Sequence, residues 1–149
     1  MFEQGSHLID LLVRLMGRPT NVRSVLQRLS DDDLQDNCVA VFEWPRALGV
    51  ITVAVLQPNF ERHRSLDILG TNGTAMMRPI EPASLCIDLA QAAGPYQRGF
   101  QQVAVPEYHR FEQEFDEMAC CLENGSPLPI TPEQDLAVQQ TLLEASGMA

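Results

Sequence analysis

Cys38-Val39-Ala40-Val41-Phe42, and after the break at Pro45 the run Val50-Ile51-Thr52-Val53-Ala54-Val55-Leu56, decide how this chain folds. Both are rich in β-branched residues, which favour extended backbone. Neither shows the apolar/polar alternation of an antiparallel strand with one wet face, so both read as strands that present apolar side chains on two faces. Helices can cover one of those faces. The other needs a cover of its own, and a second copy of the same sheet or another domain is the natural one.

On either side of these runs the chain continues the pattern. Further β-rich stretches fall at residues 20–29, 64–69, 75–79, 84–90 and 101–105, with the central runs extending over 38–44 and 48–56. Asp31-Asp32-Asp33, Pro45, Pro58-Asn59 and Asn72-Gly73 separate them as turn signals. Asn72-Gly73 suits a tight hairpin between 66–69 and 75–77. Before the first strand, Leu8, Leu11, Leu12 and Leu15 recur at helical spacing, and Gly17 with Pro19 ends that helix. After the last strand, Pro106-Glu107 opens a second helical stretch with Tyr108, Phe111, Phe115, Met118 and Leu122 on one stripe, closing at Asn124-Gly125. Thr131-Pro132-Glu133-Gln134 opens a third: a threonine cap, proline at the first helical position and acids in the first turn. The order α, six or seven strands, α-α predicts one α+β domain over 1–149, a mostly antiparallel open sheet of about six strands with helices packed on one face and the other face used for dimerisation.

Composition narrows the function classes. The 149 residues hold 20 acids and 10 basic residues, net charge −10, and every basic residue is arginine. Without lysine the chain cannot form a Schiff base or a P-loop phosphate grip. Residues 107–149 hold 9 acids and only Arg110, against 11 acids and 9 arginines in 1–106. Such a chain repels phosphate backbones and anionic bilayers, so neither nucleic acid nor a membrane is an expected partner. Cys38, Cys86, Cys120 and Cys121 follow no zinc or secreted-disulfide spacing, and Met1-Phe2-Glu3-Gln4 is no signal peptide; thiols in a reducing cytoplasm are the simplest account.

One cluster carries candidate chemistry: Glu3-Gln4-Gly5-Ser6-His7-Leu8-Ile9-Asp10, with Glu3, His7 and Asp10 at i, i+4 and i+7. A carboxylate near an imidazole fixes its tautomer and raises its basicity, which suits a histidine that exchanges a proton near neutral pH. The same residues also suit a helix start, as caps favouring the dipole, and two carboxylates with an imidazole could hold a divalent ion. His63, between Arg62 and Arg64, and His109, after Tyr108, read as surface or packing residues. Tyr96 and Arg98 sit in a Gly94-Pro95 loop with only their polarity to recommend them. No GxSxG, GxGxxG or GxxxxGK[ST] occurs.

Gln4-Gly5-Ser6-His7-Leu8-Ile9-Asp10-Leu11-Leu12 with Leu15-Met16-Gly17-Arg18-Pro19 resembles the D-x-G-x-H-x-x-D…h-x-G-x-P segment that opens the second domain of the Gfo/Idh/MocA family of NAD(P)-dependent sugar and polyol dehydrogenases. In the same order, Leu66-Asp67-Ile68-Leu69-Gly70-Thr71-Asn72-Gly73-Thr74 resembles the family's hairpin. Glu112-Gln113-Glu114-Phe115, Gly125-Ser126-Pro127, Thr131-Pro132-Glu133-Gln134-Asp135 and Leu142-Leu143-Glu144-Ala145-Ser146 resemble its two closing helices. The resemblance covers essentially the whole chain.

It implies an enzyme of two parts: a Rossmann domain that binds NAD or NADP, and this domain, which supplies substrate contacts and the dimer sheet. His7 would be the catalytic proton acceptor as a sugar or polyol hydroxyl is oxidised. Glu3 falls at the family's aspartate, one methylene longer, and would orient the imidazole or the substrate. Gly5 fits the family glycine and Asp10 the acid one turn on. The family's active-site lysine would come from the Rossmann domain. On this reading the chain by itself binds no cofactor and is inactive. The competing readings are a non-catalytic ligand-binding or protein-interaction module on the same fold and, more weakly, a metal-dependent enzyme built on Glu3, His7 and Asp10.

Overall fold

The computed structural model describes residues 1–31, 33–107 and 111–148. Its elements are α1 (Phe2–Met16), β1 (Asn21–Gln27), β2 (Asn37–Trp44), β3 (Ala47–Ala54), a short 3-10 turn at Phe60–His63, β4 (Leu66–Gly70), β5 (Gly73–Met77), β6 (Leu85–Leu89), β7 (Gly99–Val103), α2 (Glu112–Asn124) and α3 (Pro132–Ala145). This is an α+β chain with antiparallel pairing throughout. The seven strands divide into two sheets, β1-β2-β3 and β4-β5-β6-β7, where the sequence reading expects one sheet of about six. The chain gathers accordingly into two compact units, Met1–Leu56 with Phe111–Ala149, and Gln57–Arg110.

In the first unit β2 is the central strand and its alternation sets the core. Cys38, Ala40 and Phe42 point inward and are almost fully buried, and Ile51 and Val53 of β3 join them. Against that face α1 lays Ile9 and Val13, and α3 lays Leu142 and Ala145. The α1 stripe therefore centres on Ile9 and Val13, with Leu8 and Leu12 at its border and Leu15 in solvent. Gly5 lets the helix close down: a Cβ there would stand 2.4 Å from the Met1 sulfur and 3.6 Å from Val53. Trp44 ties the helix end to the sheet by donating its indole N–H to the Gly17 carbonyl at 3.0 Å. The Gly17 N–H closes on Val13 O at 2.8 Å.

The N-terminus of α3 forms as its sequence predicts. Thr131 Oγ1 accepts from the Gln134 N–H at 3.3 Å, and Gln134 Oε1 accepts from the Thr131 N–H at 3.0 Å, a complete capping box. Helix α2 differs from expectation in two ways. It starts at Glu112 rather than at Pro106, Tyr108 lies outside the described residues, and none of its residues is buried. Among the described residues, α1 and α3 are the helices that line the core of this unit.

The second face of β1-β2-β3 carries Val25, Val39, Leu48 and Val50, between 39% and 75% exposed, beside an Arg23–Glu43 ion pair at 2.7 Å. The apolar second face read from the sequence is thus present, and open to solvent.

The second unit is a meander around Ile87, with Arg78 of the β5–β6 connection paired to Asp67 of β4. Its first hairpin turns at Thr71-Asn72, with Gly70 opposite Gly73, one residue earlier than the Asn72-Gly73 turn the sequence suggests. Gly73 is required by close packing instead: a Cβ there would lie 2.1 Å from the Asp88 carbonyl oxygen of β6. Asn72 extends that strand pair with its side chain, donating to Gln91 O and accepting from the Gln91 N–H, both at 3.1 Å.

Candidate functional site

Because α1 begins at Phe2, Glu3, His7 and Asp10 all lie within the helix. Glu3 and His7 are one turn apart, about 6 Å along the axis, and both are exposed on the side turned away from Gly5, Ile9 and Val13. Glu3 is the acid of the first turn, where it also complements the helix dipole. The Ser6 hydroxyl closes on the Glu3 carbonyl at 2.7 Å and stiffens this turn.

Asp10 is drawn elsewhere. Its carboxylate accepts from Arg14 Nε at 3.0 Å, an i,i+4 pair on the helix surface. Among the described residues no three His, Cys, Asp or Glu side chains converge on a point that could hold a metal ion, so Glu3, His7 and Asp10 do not make the metal centre weighed above. What remains is an imidazole facing solvent, one turn from a carboxylate, on a helix fixed to the core by its opposite face.

A cavity of about 380 Å³ opens beside the first turn of α1. Glu3 and Gln4 contribute to its wall with Leu26, Val55, Asp36 and Ser146; His7 does not line it. Asp36, 5% exposed, is the residue that sequence reasoning passes over. Its carboxylate accepts from the Ser30 hydroxyl at 2.6 Å, from the Ser30 N–H at 2.8 Å and from the Leu29 N–H at 3.0 Å, and so organises the β1–β2 connection. These bonds, the Ser30 hydroxyl foremost, hold its pKa below the ordinary aspartate value. The signal available was a serine and an acid bracketing a polar loop, which Asp31-Asp32-Asp33 masks as a plain turn. Ser146 Oγ is buried and makes no hydrogen bond.

The other candidates disperse. Tyr96 and Ala93 exchange backbone hydrogen bonds of 3.0 and 3.1 Å around Gly94-Pro95, and Arg98 follows exposed; both belong to the second unit. His63 closes the 3-10 turn on the surface, and His109 lies outside the described residues. The four cysteines are free thiols, Cys38 buried and Cys120 exposed. Among the described residues no helix is long and apolar enough to cross a membrane.

Both sheets are antiparallel, and no glycine-rich turn leads from a strand into a helix N-terminus among the described residues.

Comparison with known proteins agrees with this architecture. The fold matches an assigned oxidoreductase from Klebsiella pneumoniae (TM-score 0.77, 19% identity, covering 99% of this chain and 46% of that one). It also matches an assigned NADPH-dependent oxidoreductase from Desulfitobacterium hafniense (0.78, 17%, 97% and 44%). A third match is the UDP-N-acetylglucosamine 3-dehydrogenase of Acidithiobacillus ferrooxidans (0.74, 16%, 96% and 46%). At these identities the likeness is one of fold, and the chain spans a little under half the length of each. No curated protein matches the sequence. Residues 1–76, which contain Glu3, His7 and the whole β1-β2-β3 sheet, match the family model of the GFO/IDH/MocA C-terminal domain, and the chain belongs to that family.

Proposed function

We propose that this chain is the substrate-binding and dimerisation part of an NAD(P)-dependent dehydrogenase acting on a sugar or polyol, and that it is inactive without a separate cofactor domain. The observation that carries this reading is the exposed His7 one turn from Glu3 on the core-anchored helix of a GFO/IDH/MocA C-terminal domain. His7 takes the proton of the substrate hydroxyl, and Glu3 orients the imidazole or a neighbouring hydroxyl. The nicotinamide is carried by the separate cofactor domain. The names of the relatives support the class: one is assigned as NADPH-dependent and another dehydrogenates a sugar nucleotide.

The test joins this chain to its cofactor domain and follows NAD(P)H formation with a panel of sugars and polyols. His7→Ala should lower kcat by about 10²–10⁴-fold, with a smaller loss in Glu3→Gln. An unchanged rate in His7→Ala would reduce the motif to a helix start.

A further inference from the structure

Of the five asparagines, Asn72 and Asn124 are each followed by glycine. A glycine has no Cβ to shield its backbone nitrogen, so that nitrogen can reach the carboxamide carbon of the asparagine before it. The two pairs share this sequence and differ in how the fold holds them.

Asn72-Gly73 is held at every group the reaction needs. The Asn72 carboxamide donates to Gln91 O and accepts from the Gln91 N–H, both at 3.1 Å, and its backbone carbonyl accepts from the Ala90 N–H at 2.8 Å. Gly73 stands opposite Gly70 on one side and Leu89 on the other, so its nitrogen cannot swing toward the side chain without breaking the sheet. Asn124-Gly125 lies instead where α2 ends, and helix ends fray. The Asn124 Nδ2 donates to Cys120 O at 3.0 Å and to Cys120 Sγ at 3.2 Å, within its own last turn. Gly17 closes α1 by donating to Val13 O, whereas the Gly125 N–H makes no such backbone bond among the described residues. The attacking nitrogen is therefore unengaged at Gly125.

We propose that Asn124-Gly125 is a site of spontaneous modification, where Asn124 converts to aspartate and isoaspartate in the folded protein while Asn72 is kept intact by the sheet. This goes beyond the dehydrogenase reading and stands independently of it, since it concerns neither His7 nor Glu3. Base removes the Gly125 amide proton, and the nitrogen attacks the Asn124 side-chain carbon. The new N–C bond closes a succinimide ring, the bond to the amide nitrogen breaks, and ammonia leaves. Water then opens the ring at either carbonyl, so the net change is one water consumed and one ammonia released. The product lacks the N–H donor that served Cys120 and adds a negative charge beside Glu123, at the helix end where the dipole disfavours it. With no basic residue in α2 to offset that charge, the last turn loosens.

The test incubates the whole chain at pH 6 and pH 9, native and in urea, and follows both asparagines by peptide mass spectrometry that resolves isoaspartate. In urea the two should convert at similar rates, because the unfolded chain holds neither. In the native protein Asn72 should lag Asn124 by about tenfold or more, and both rates should rise with pH. Asn124→Gln, whose longer side chain closes the ring far more slowly, should remove the main modified peptide. Asn124→Asp should reproduce the lower thermal midpoint of the aged protein. Native conversion of Asn72 as fast as that of Asn124 would overturn the proposal, as would Asn124 protected to the same degree as Asn72 relative to urea.

Discussion

A single carboxylate shows how this chain ties protonation to stability. Asp36 accepts from the Ser30 hydroxyl, the Ser30 N–H and the Leu29 N–H, all favouring its charged form, so its folded pKa lies below its unfolded one. A depressed carboxylate contributes stability above the unfolded pKa and loses it as pH falls through the folded value. That window opens below about pH 4. Asp36→Asn should therefore lower the thermal midpoint by several degrees at pH 7, and the gap to the parent protein should close on acidification below pH 4. Midpoints measured at pH 7 and pH 3 check this; an equal gap at both would remove Asp36 as the titrating group.

At the scale of elements, local chemistry predicts what local chemistry decides. Thr131-Pro132-Glu133-Gln134 reads as a capped helix start and is one, down to the reciprocal Thr131–Gln134 bonds. Thr131→Ala should cost about 1 kcal/mol, and adding Gln134→Ala should cost less than the sum of the single effects, because each bond helps hold the other; urea melts of the three variants measure this. By contrast, Phe42→Ala, at the fully buried centre of β2, should cost about 3–5 kcal/mol. All seven strands were legible as β-rich runs, since β propensity and turn residues are written in short windows. What a face meets is not. Phe115 and Leu122 make a helical stripe in the sequence, yet periodicity reports an apolar face without naming its cover. The break between β3 and β4 escaped for the same reason: each strand advertises its own character, not its neighbour. At the site, the spacing of Glu3 and His7 was legible, whereas the capture of Asp10 by Arg14 needed side-chain geometry.

For the whole molecule, the question is what covers the second face of β1-β2-β3. Val25 pairs with Val39 and Val41 with Val50 across the strands, placing a β-branched patch at the centre of that face with the Arg23–Glu43 pair beside it. Such a face has no ring of like charge to oppose a second copy of itself, and the proposed dimer packs the two sheets face to face. The chain as a whole still carries net charge −10, so two copies repel at long range. Screening relieves that repulsion, and apolar burial is unaffected by it; the dimer should accordingly tighten between low and moderate salt. Light scattering at micromolar concentration should report a dimer, and Val50→Glu, at a position 63% exposed, should yield a folded monomer. A wild-type monomer at that concentration would count against the sheet as the dimer face.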